Sequence, residues 1–511
     1  MRLRNHAIFV LTFIAGIFAL TEPTLQSDQV QSSVEFSQDI TNFQLWFESL
    51  LQNATFTGRN DSFFLLDYKV RPKIFTIGDH NESLSLKRVG LVATRPLSLG
   101  EVYLRVLFAI RVTTATVHPQ IGEMLKMWLE RHKNQRHARQ CVLATFLAYS
   151  RLVEGPQGFW WPYLKILPSR IRAPMFFHDA QLRALGGTMI AKKVESMRRE
   201  YTKLWRSLRD ELYRAHTLSF PLEYFTDSPR YFLWAVGILN TRTIWVEQEP
   251  LLIPMADLAN HGYRRGPPQK TVRDDFGTRV SSQSSFAHGE EVVENYNETN
   301  NFLFLFHGFA DRHNPEDCAL VTLDPNHLPR CFSRGVLDWL SSSGMVNDAP
   351  CVNAKAGRSV AAFLGVVRAA WRRSESEGNS SLVSLWQGAF AECRHEARVF
   401  YAAGEPQNQC QAIQLWARAK GVSASEERGA VLRAAMDILS VQLEKMMAPK
   451  PSAVIRPLVG GRHATLTSED DLLDDEDVWN AVDDYVITQY AMLRDVKTVL
   501  MNYAEERRED L

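Results

Sequence analysis

The chain has 511 residues, enough for two or three domains, and its 45% hydrophobic and 23% charged content is that of a globular protein. Lys+Arg and Asp+Glu both total 58, so the net charge is zero. A whole-chain basic footprint is therefore excluded, no nucleic-acid partner is expected, and charge gives no sign of a polyanionic one.

At the N-terminus Arg2 and Arg4 precede the apolar run AIFVLTFIAGIFAL (Ala7–Leu20), the cationic start and hydrophobic region of a secretory signal peptide over residues 1–22. The run is short for a membrane span, which needs about 20 apolar residues. No Lys or Arg occurs from Thr21 to Gly58, which argues against an Arg-rich transit peptide. No A-x-A cleavage site stands near Leu20, so an uncleaved anchor, and with it a membrane contact, stays open beside a cleaved signal. Either form sends the chain into the secretory pathway. Asn53, Asn60, Asn81, Asn297 and Asn379 each begin an N-x-S/T sequon, in keeping with a glycoprotein. Cys141, Cys318, Cys331, Cys351, Cys393 and Cys410 allow up to three bridges in an oxidising lumen or, equally, free buried thiols.

Residues 23–85 form an N-terminal segment in which Thr41–Leu51 is predicted as an amphipathic helix with Phe43, Trp46, Phe47 and Leu50 on one side. Leu86–Val106 has the pattern of two strands joined around Leu99-Gly100-Glu101. Residues 121 to 220 are mainly helical by periodicity, notably Cys141–Val153 and Ala191–Tyr213. Short strands are expected from Phe232 to Val293, and helices throughout beyond about residue 330. Two apolar stripes there, Leu432, Met436, Leu439, Leu443, Met446 and Val482, Val486, Leu493, Val496, Leu500, have the spacing of core faces. The acidic run Glu469–Asp477 is expected as a solvated loop before the last helix. Neither a tandem repeat nor a coiled-coil array is present.

The stretch IPMADLANHG (Ile253–Gly262) ends an apolar run with Asp257, Asn260 and His261. Alone, such a motif is most simply a turn whose Asp and Asn bond their own backbone. No phosphate-binding loop, dinucleotide fingerprint, nucleophile elbow or H-E-x-x-H helix occurs. Asp257, His261, His307 and Asp311 suggest a metal by residue type only, no C-x-x-C or Cys/His cluster suggests zinc, and no metal is expected.

Taken in order, three stretches resemble SET-domain methyltransferases: Val89-Gly90-Leu91-Val92-Ala93 with Gly100-Glu101, then Asp257-x-x-Asn260-His261, then Gly289-Glu290-Glu291 through Tyr296 to Gly308-Phe309. Leu143–Pro168 with its P-Y-x-x-x-L-P loop, Trp234-Ala235 followed by Thr241-Arg242, and Asn314-Pro315-x-Asp317 resemble elements of the Rubisco large-subunit methyltransferase group. The resemblance implies an α+β class: a SET fold of small β-sheets over residues 86–325, with a helical insert at about 115–225. An all-α C-terminal domain over residues 330–511 would then dock a protein substrate. It further implies S-adenosylmethionine held by Asn260 and His261, assisted by Arg242 and the backbone around Val89, Gly90 and Leu91. Tyr296 matches the catalytic tyrosine, His307 and Phe309 fall in the acceptor channel, and Asp257 braces the turn. The reaction implied is methyl transfer to a protein lysine, with histidine possible. Members of the group are normally cytosolic, nuclear or plastid proteins, the alternative to secretory entry.

Methyl transfer from a sulfonium to a nitrogen lone pair demands alignment, a dry channel and an unprotonated acceptor. A lysine, with a solution pKa of about 10.4, must first lose a proton, whereas a neutral imidazole already offers a lone pair. The chain departs from the family pattern in four places. Arg88 stands where a glycine is usual, able to narrow the pocket or to point outward. Asn297 follows Tyr296 in place of glycine, the interval from Tyr296 to Gly308 is one residue short, and His307 replaces the tyrosine of Y-G-F. The alternative function is a SET-like binding module without catalysis. Asn297, beside Tyr296, is expected to be buried and unglycosylated.

Overall fold

The computed structural model describes residues 33–53, 68–77, 86–107, 119–135, 137–246, 249–262, 271–273, 277–321, 351–353, 363–364, 367, 425–447 and 476–506. The signal region, Asn60, Asn81, Asn379, Cys331, Cys393, Cys410 and most of the acidic run lie outside the described residues.

Short alternating runs give short strands. In chain order they are β1 (Val70–Ile77), β2 (Leu86–Ala93), β3 (Val102–Leu107), β4 (Ile244–Val246), β5 (Glu249–Leu251), β6 (Asn260–His261), β7 (Thr271–Arg273), β8 (Gly277–Ser281), β9 (Glu291–Glu294), β10 (Ala319–Leu320) and β11 (Cys351–Val352). The first sheet has the order β1-β2-β9-β6 and the second β3-β8-β7. β9 runs antiparallel to β2, with Leu91 opposite Val292, and parallel to β6, with Asn260 opposite Val293 and His261 opposite Glu294. A parallel pair requires a crossover. The chain makes it by leaving the first sheet at His261, building β7 and β8 against β3, and returning as β9 between β2 and β6. Segments far apart in sequence thus meet at the ends of β6 and β9.

Helices cover these sheets. The helix Ser33–Asn53 buries Ile40, Phe43 and Phe47, and extends further at its N-terminal end than the expected Thr41–Leu51. In the insert, Ala138–Tyr149 is buried along nearly its whole length and packs on the helix Arg230–Arg242. That second helix corrects the expectation of strands from Phe232 onward. It buries Phe232, Trp234, Ala235, Val236, Gly237, Ile238 and Leu239, so an apolar run sealed on most sides loses the 3.6-residue signal. The strands expected after it do form, as the β4–β5 hairpin.

A second core joins the C-terminal helices Ser425–Met447 and Glu476–Glu506 to Phe177, Ala180, Ile190 and Val194 of the insert and to Phe304 and Leu305. Both apolar stripes face it, Met436 being only partly buried. Tyr485 stacks on Phe304 with centroids 4.4 Å apart and rings 5° from parallel, and its hydroxyl donates to Asn301 Oδ1 at 2.6 Å. Beyond residue 330 the structure is not wholly helical. β11 pairs with β10 beside a Cys318–Cys351 disulfide, and Asn353 Nδ2 donates to the Asp317 carbonyl at 2.6 Å. A two-residue strand leaves no periodic trace, which is why sequence missed it. Cys141 is a free, buried thiol. Among the described residues no helix is long and apolar enough to cross a membrane.

Gly308 closes the turn Leu303–His307 at φ 80°, and a Cβ there would lie 2.1 Å from the Arg172 carbonyl oxygen. Gly308→Ala should cost about 2–4 kcal/mol by urea denaturation, combining left-handed strain with overpacking against backbone. Gly100→Ala, also at φ 80° but with nothing within 4 Å of its Cβ, should cost only about 1 kcal/mol.

Candidate active site

The turn before β6 carries strain. Buried Met255 sits at φ 75°, ψ −49°, a conformation costing on the order of 1–3 kcal/mol. What over-determines it is Asp257, whose side chain is fully buried. Asp257 accepts the Tyr163 hydroxyl at 2.6 Å and stands 3.6 Å from Arg242 Nη1, which also donates to the Asp257 carbonyl at 2.9 Å. Burial raises the Asp257 carboxyl above its ordinary range, and the Arg242 charge pulls it back. The aspartate therefore ties the turn to the P-Y-x-x-x-L-P loop and to the end of the Arg230–Arg242 helix.

Asn260 spends both amide hydrogens inward, on the Val89 carbonyl at 3.1 Å and on Glu291 Oε1 at 2.9 Å. Among the described residues its Oδ1 accepts no hydrogen bond. A Cβ on Gly90 would stand 2.5 Å from Asn260 Nδ2, so glycine is what lets β2 close on β6. Leu91 is wholly buried in the core and offers the site only its backbone. Arg88 lies within β2 opposite Phe75, so this position needs no positive φ. Its Nη2 meets Glu291 Oε2 at 3.0 Å, while its Nε is buried without a hydrogen-bond partner.

His261 Nδ1 accepts the Tyr296 backbone N–H at 3.3 Å, and Nε2 lies 3.8 Å from Asp311 Oδ2. Burial holds His261 below its ordinary pKa, against the pull of Asp311. The Tyr296 hydroxyl donates to the Ala259 carbonyl at 2.9 Å. Burial, then the Glu294 charge, pushes that phenol well up, so it stays protonated at neutral pH. Gln283 clamps Asn295 from both sides, accepting its N–H at 2.6 Å and donating to its carbonyl at 3.3 Å. Asn297 adopts φ 54°, the left-handed conformation asparagine tolerates, and is exposed. Its expected burial is thus corrected: the left-handed turn swings the residue away from the Tyr296 side.

Rings line the space beyond. Centroids separate His261 from Tyr296 by 5.1 Å, Tyr296 from His307 by 5.1 Å, His261 from Phe309 by 5.5 Å and His307 from Phe309 by 6.1 Å. His307 is pushed down to about 4 by burial first, then by the charges of His261 and Arg242, so its ring is neutral at physiological pH. The N-P-x-D element supports this wall. Asp317 accepts Asn300 N and Nδ2, both at 2.8 Å, and Asn314 Nδ2 donates to the Glu298 carbonyl at 2.8 Å.

The structure thus gathers Asn260, His261, Arg242, Tyr296, His307, Phe309 and the backbone at Val89 and Gly90. Sequence reasoning missed Glu291, Glu294, Gln283 and Tyr163 as contributors. Glu291 stood in the Gly-Glu-Glu motif, but only the register of β9 against both neighbours shows that it faces Asn260. Among the described residues no group of three or more His, Cys, Asp or Glu could hold a metal ion.

No protein-family model matches the chain. It is 25% identical over 298 residues to the actin-histidine N-methyltransferase of Callithrix jacchus, and 24% identical over 298 residues to those of Rattus norvegicus and Homo sapiens. These alignments cover 55% of this chain and 48% of each relative, so the chain spans about half the length of the curated relatives it matches. The crystal structure of the SET domain of LSMT bound to lysine and AdoHcy superposes with a TM-score of 0.57, over 93% of both chains, at 17% identity. Rubisco LSMT bound to sinefungin and monomethyllysine gives the same values. The chain has the SET fold, of α+β class.

A histidine whose pKa is lowered in the folded state favours folding above its unfolded value of about 6.5, and that contribution fades as pH falls toward 4. Asp317, pushed up to about 6 by burial, acts with the opposite sign over an overlapping window, so wild-type stability alone hides both. Measured against wild type, His307→Phe should gain stability by on the order of 1–2 kcal/mol between pH 7 and 4.5, allowing for partial exposure of the ring.

Proposed function

We propose that this chain is an S-adenosylmethionine-dependent N-methyltransferase acting on a side-chain nitrogen of a protein, with lysine as the first acceptor and histidine as the second. The observation that carries the reading is the meeting of Val89-Gly90, Asn260-His261 and Tyr296 at the ends of β6 and β9. The residues present fit such a cofactor. Among the described residues Asn260 Oδ1 accepts no hydrogen bond and so is left for an ammonium, and Gly90 lets backbone approach closely. When bound, S-adenosylmethionine supplies an electrophilic methyl group on a sulfonium.

The protein's share is positioning and exclusion of water. Asn260, the His261 segment and the Val89-Gly90 backbone would hold the cofactor, with Arg242 placed through Asp257. Tyr296 stays protonated and so orients the acceptor as a hydrogen-bonding group, not as a base. His261, Tyr296, His307 and Phe309 would wall the acceptor channel. With Arg242 nearby and both histidines neutral, the channel disfavours an ammonium, so a lysine would enter as the free amine. The bound lysine of the solved neighbour supports the first acceptor, and the actin-histidine relatives support the second.

The partner protein would dock on the C-terminal helices, a reading supported by the Tyr485–Phe304 stack that joins them to the channel segment. The N-terminal signal and the Cys318–Cys351 bridge support a secretory location, where exposed Asn297 becomes a usable sequon. One observation favours the binding-module reading: Arg88 stands in β2 where the family has a glycine, and it is already paired with Glu291.

Calorimetric titration of the chain should give S-adenosylmethionine and S-adenosylhomocysteine dissociation constants of about micromolar order, weakened at least about tenfold by Asn260→Ala and His261→Ala. Tyr296→Phe should retain binding while losing transfer of labelled methyl to protein, and hydrolysis of the product separates methyl-lysine from methyl-histidine. Absence of cofactor binding up to millimolar concentration would overturn the enzyme reading in favour of the binding module.

A further inference from the structure

The His261 ring has one nitrogen for each of two neighbours. Nδ1 accepts the Tyr296 backbone N–H at 3.3 Å, so in the neutral ring the proton sits on Nε2, which faces Asp311 Oδ2 at 3.8 Å. Only 8% of the His261 side chain is exposed, so the choice of tautomer falls to these two groups rather than to water. Asp311 is itself fixed. Its N–H donates to Asn300 Oδ1 at 3.0 Å, its carbonyl accepts Asn300 Nδ2 at 2.8 Å, and its Oδ1 accepts the His313 N–H at 2.8 Å. One carboxylate oxygen is thus committed to its own turn, and the other is left for the imidazole.

The ring in turn bears on Tyr296. Asn295 before it is clamped by Gln283, and Asn297 after it turns left-handed at φ 54°. Between them the His261 lone pair holds the Tyr296 N–H, while the Ala259 carbonyl takes the phenol hydroxyl. A ring protonated on Nδ1 would set one N–H against another there. We propose that Asp311 is a positioning residue: by keeping the proton of His261 on Nε2, it preserves Nδ1 as the acceptor that holds Tyr296 in place. The assignment rests on the methyl-transfer reading above, in which the Tyr296 hydroxyl meets the acceptor nitrogen.

Asp311→Asn tests charge with little change of shape. Its single oxygen, once bound to the His313 N–H, leaves an amide NH2 facing Nε2, which favours the tautomer with the proton on Nδ1. Ring-nitrogen NMR of the full-length chain carrying isotope-labelled histidine reads this directly, with the His261 signals identified by their loss in His261→Ala. Wild type should show the proton on Nε2, and Asp311→Asn should lose that tautomer. Transfer of labelled methyl from S-adenosylmethionine to a total-protein extract should slow about tenfold or more, while S-adenosylhomocysteine affinity changes less than about threefold. Asp311→Glu, which keeps both oxygens, should recover the tautomer and part of the rate. A wild-type ring protonated on Nδ1, or an Asp311→Asn ring still protonated on Nε2, overturns the proposal. So does an equal loss of rate and affinity, which would make Asp311 a structural strut. Should Asp311→Asn fail to fold, the wild-type spectrum can still refute the assignment. Absence of both cofactor binding and transfer in wild type removes the methyl-transfer reading itself, and the ring spectra then judge the Asp311–His261 pairing alone.

Discussion

The amide of Asn260 has two hydrogens, and the site is built around where they go. One ties β6 to the Val89 carbonyl of β2 and the other ties it to Glu291 of β9, so a single side chain holds three strands at one point. Gly90 follows from this, because any Cβ there would collide with the Asn260 amide. So does the strained turn at Met255, which aims Asn260 and His261 and is held by buried Asp257 through Tyr163 and Arg242. Strain of this kind persists only where neighbours over-determine it. Here the neighbours are Tyr163 of the insert and Arg242 of the helix after it, which tie a helical layer to the geometry of two residues in a sheet.

Electrostatically the pocket is divided. At β2 and β9 Arg88 pairs with Glu291, while Arg242 stands by Asp257 and its charge reaches His307. Around His307 and Phe309 the two histidines are held down by burial, and the tyrosine is held up by burial and the Glu294 charge. The proposed transfer chemistry needs alignment and dryness more than an acid–base pair.

Much of this was legible in residue order. The stretches around Val89, Asn260 and Tyr296 resembled SET-domain proteins through their order along the chain, and the stripes at Leu432 and Val482 announced buried helices because a half-exposed helix keeps its period. The failures have physical causes. Arg230–Arg242 was mistaken for strand because its buried face wraps most of the helix, leaving no polar side to mark the period. Glu291 could not be distinguished from Glu290, since that depends on strand register. Asn297 was expected inside on account of its neighbour, yet a left-handed turn after Tyr296 separates the two environments. Arg88 was suspect as a missing glycine, but the glycine that close packing demands lies two positions on, at Gly90.

The return of β9 between β2 and β6 also fixes an order of events during synthesis. Asn260 bonds a residue 171 positions earlier, and Arg88 bonds one 203 positions later. The first cannot form until the ribosome has released β6, and the second must wait for β9. Until β9 arrives, β2 presents an unpaired edge beside β1. Chains dominated by such distant pairings fold slowly and are open to aggregation meanwhile. For this protein, productive expression is therefore a question of how long that edge stays shielded while the remainder of the chain emerges.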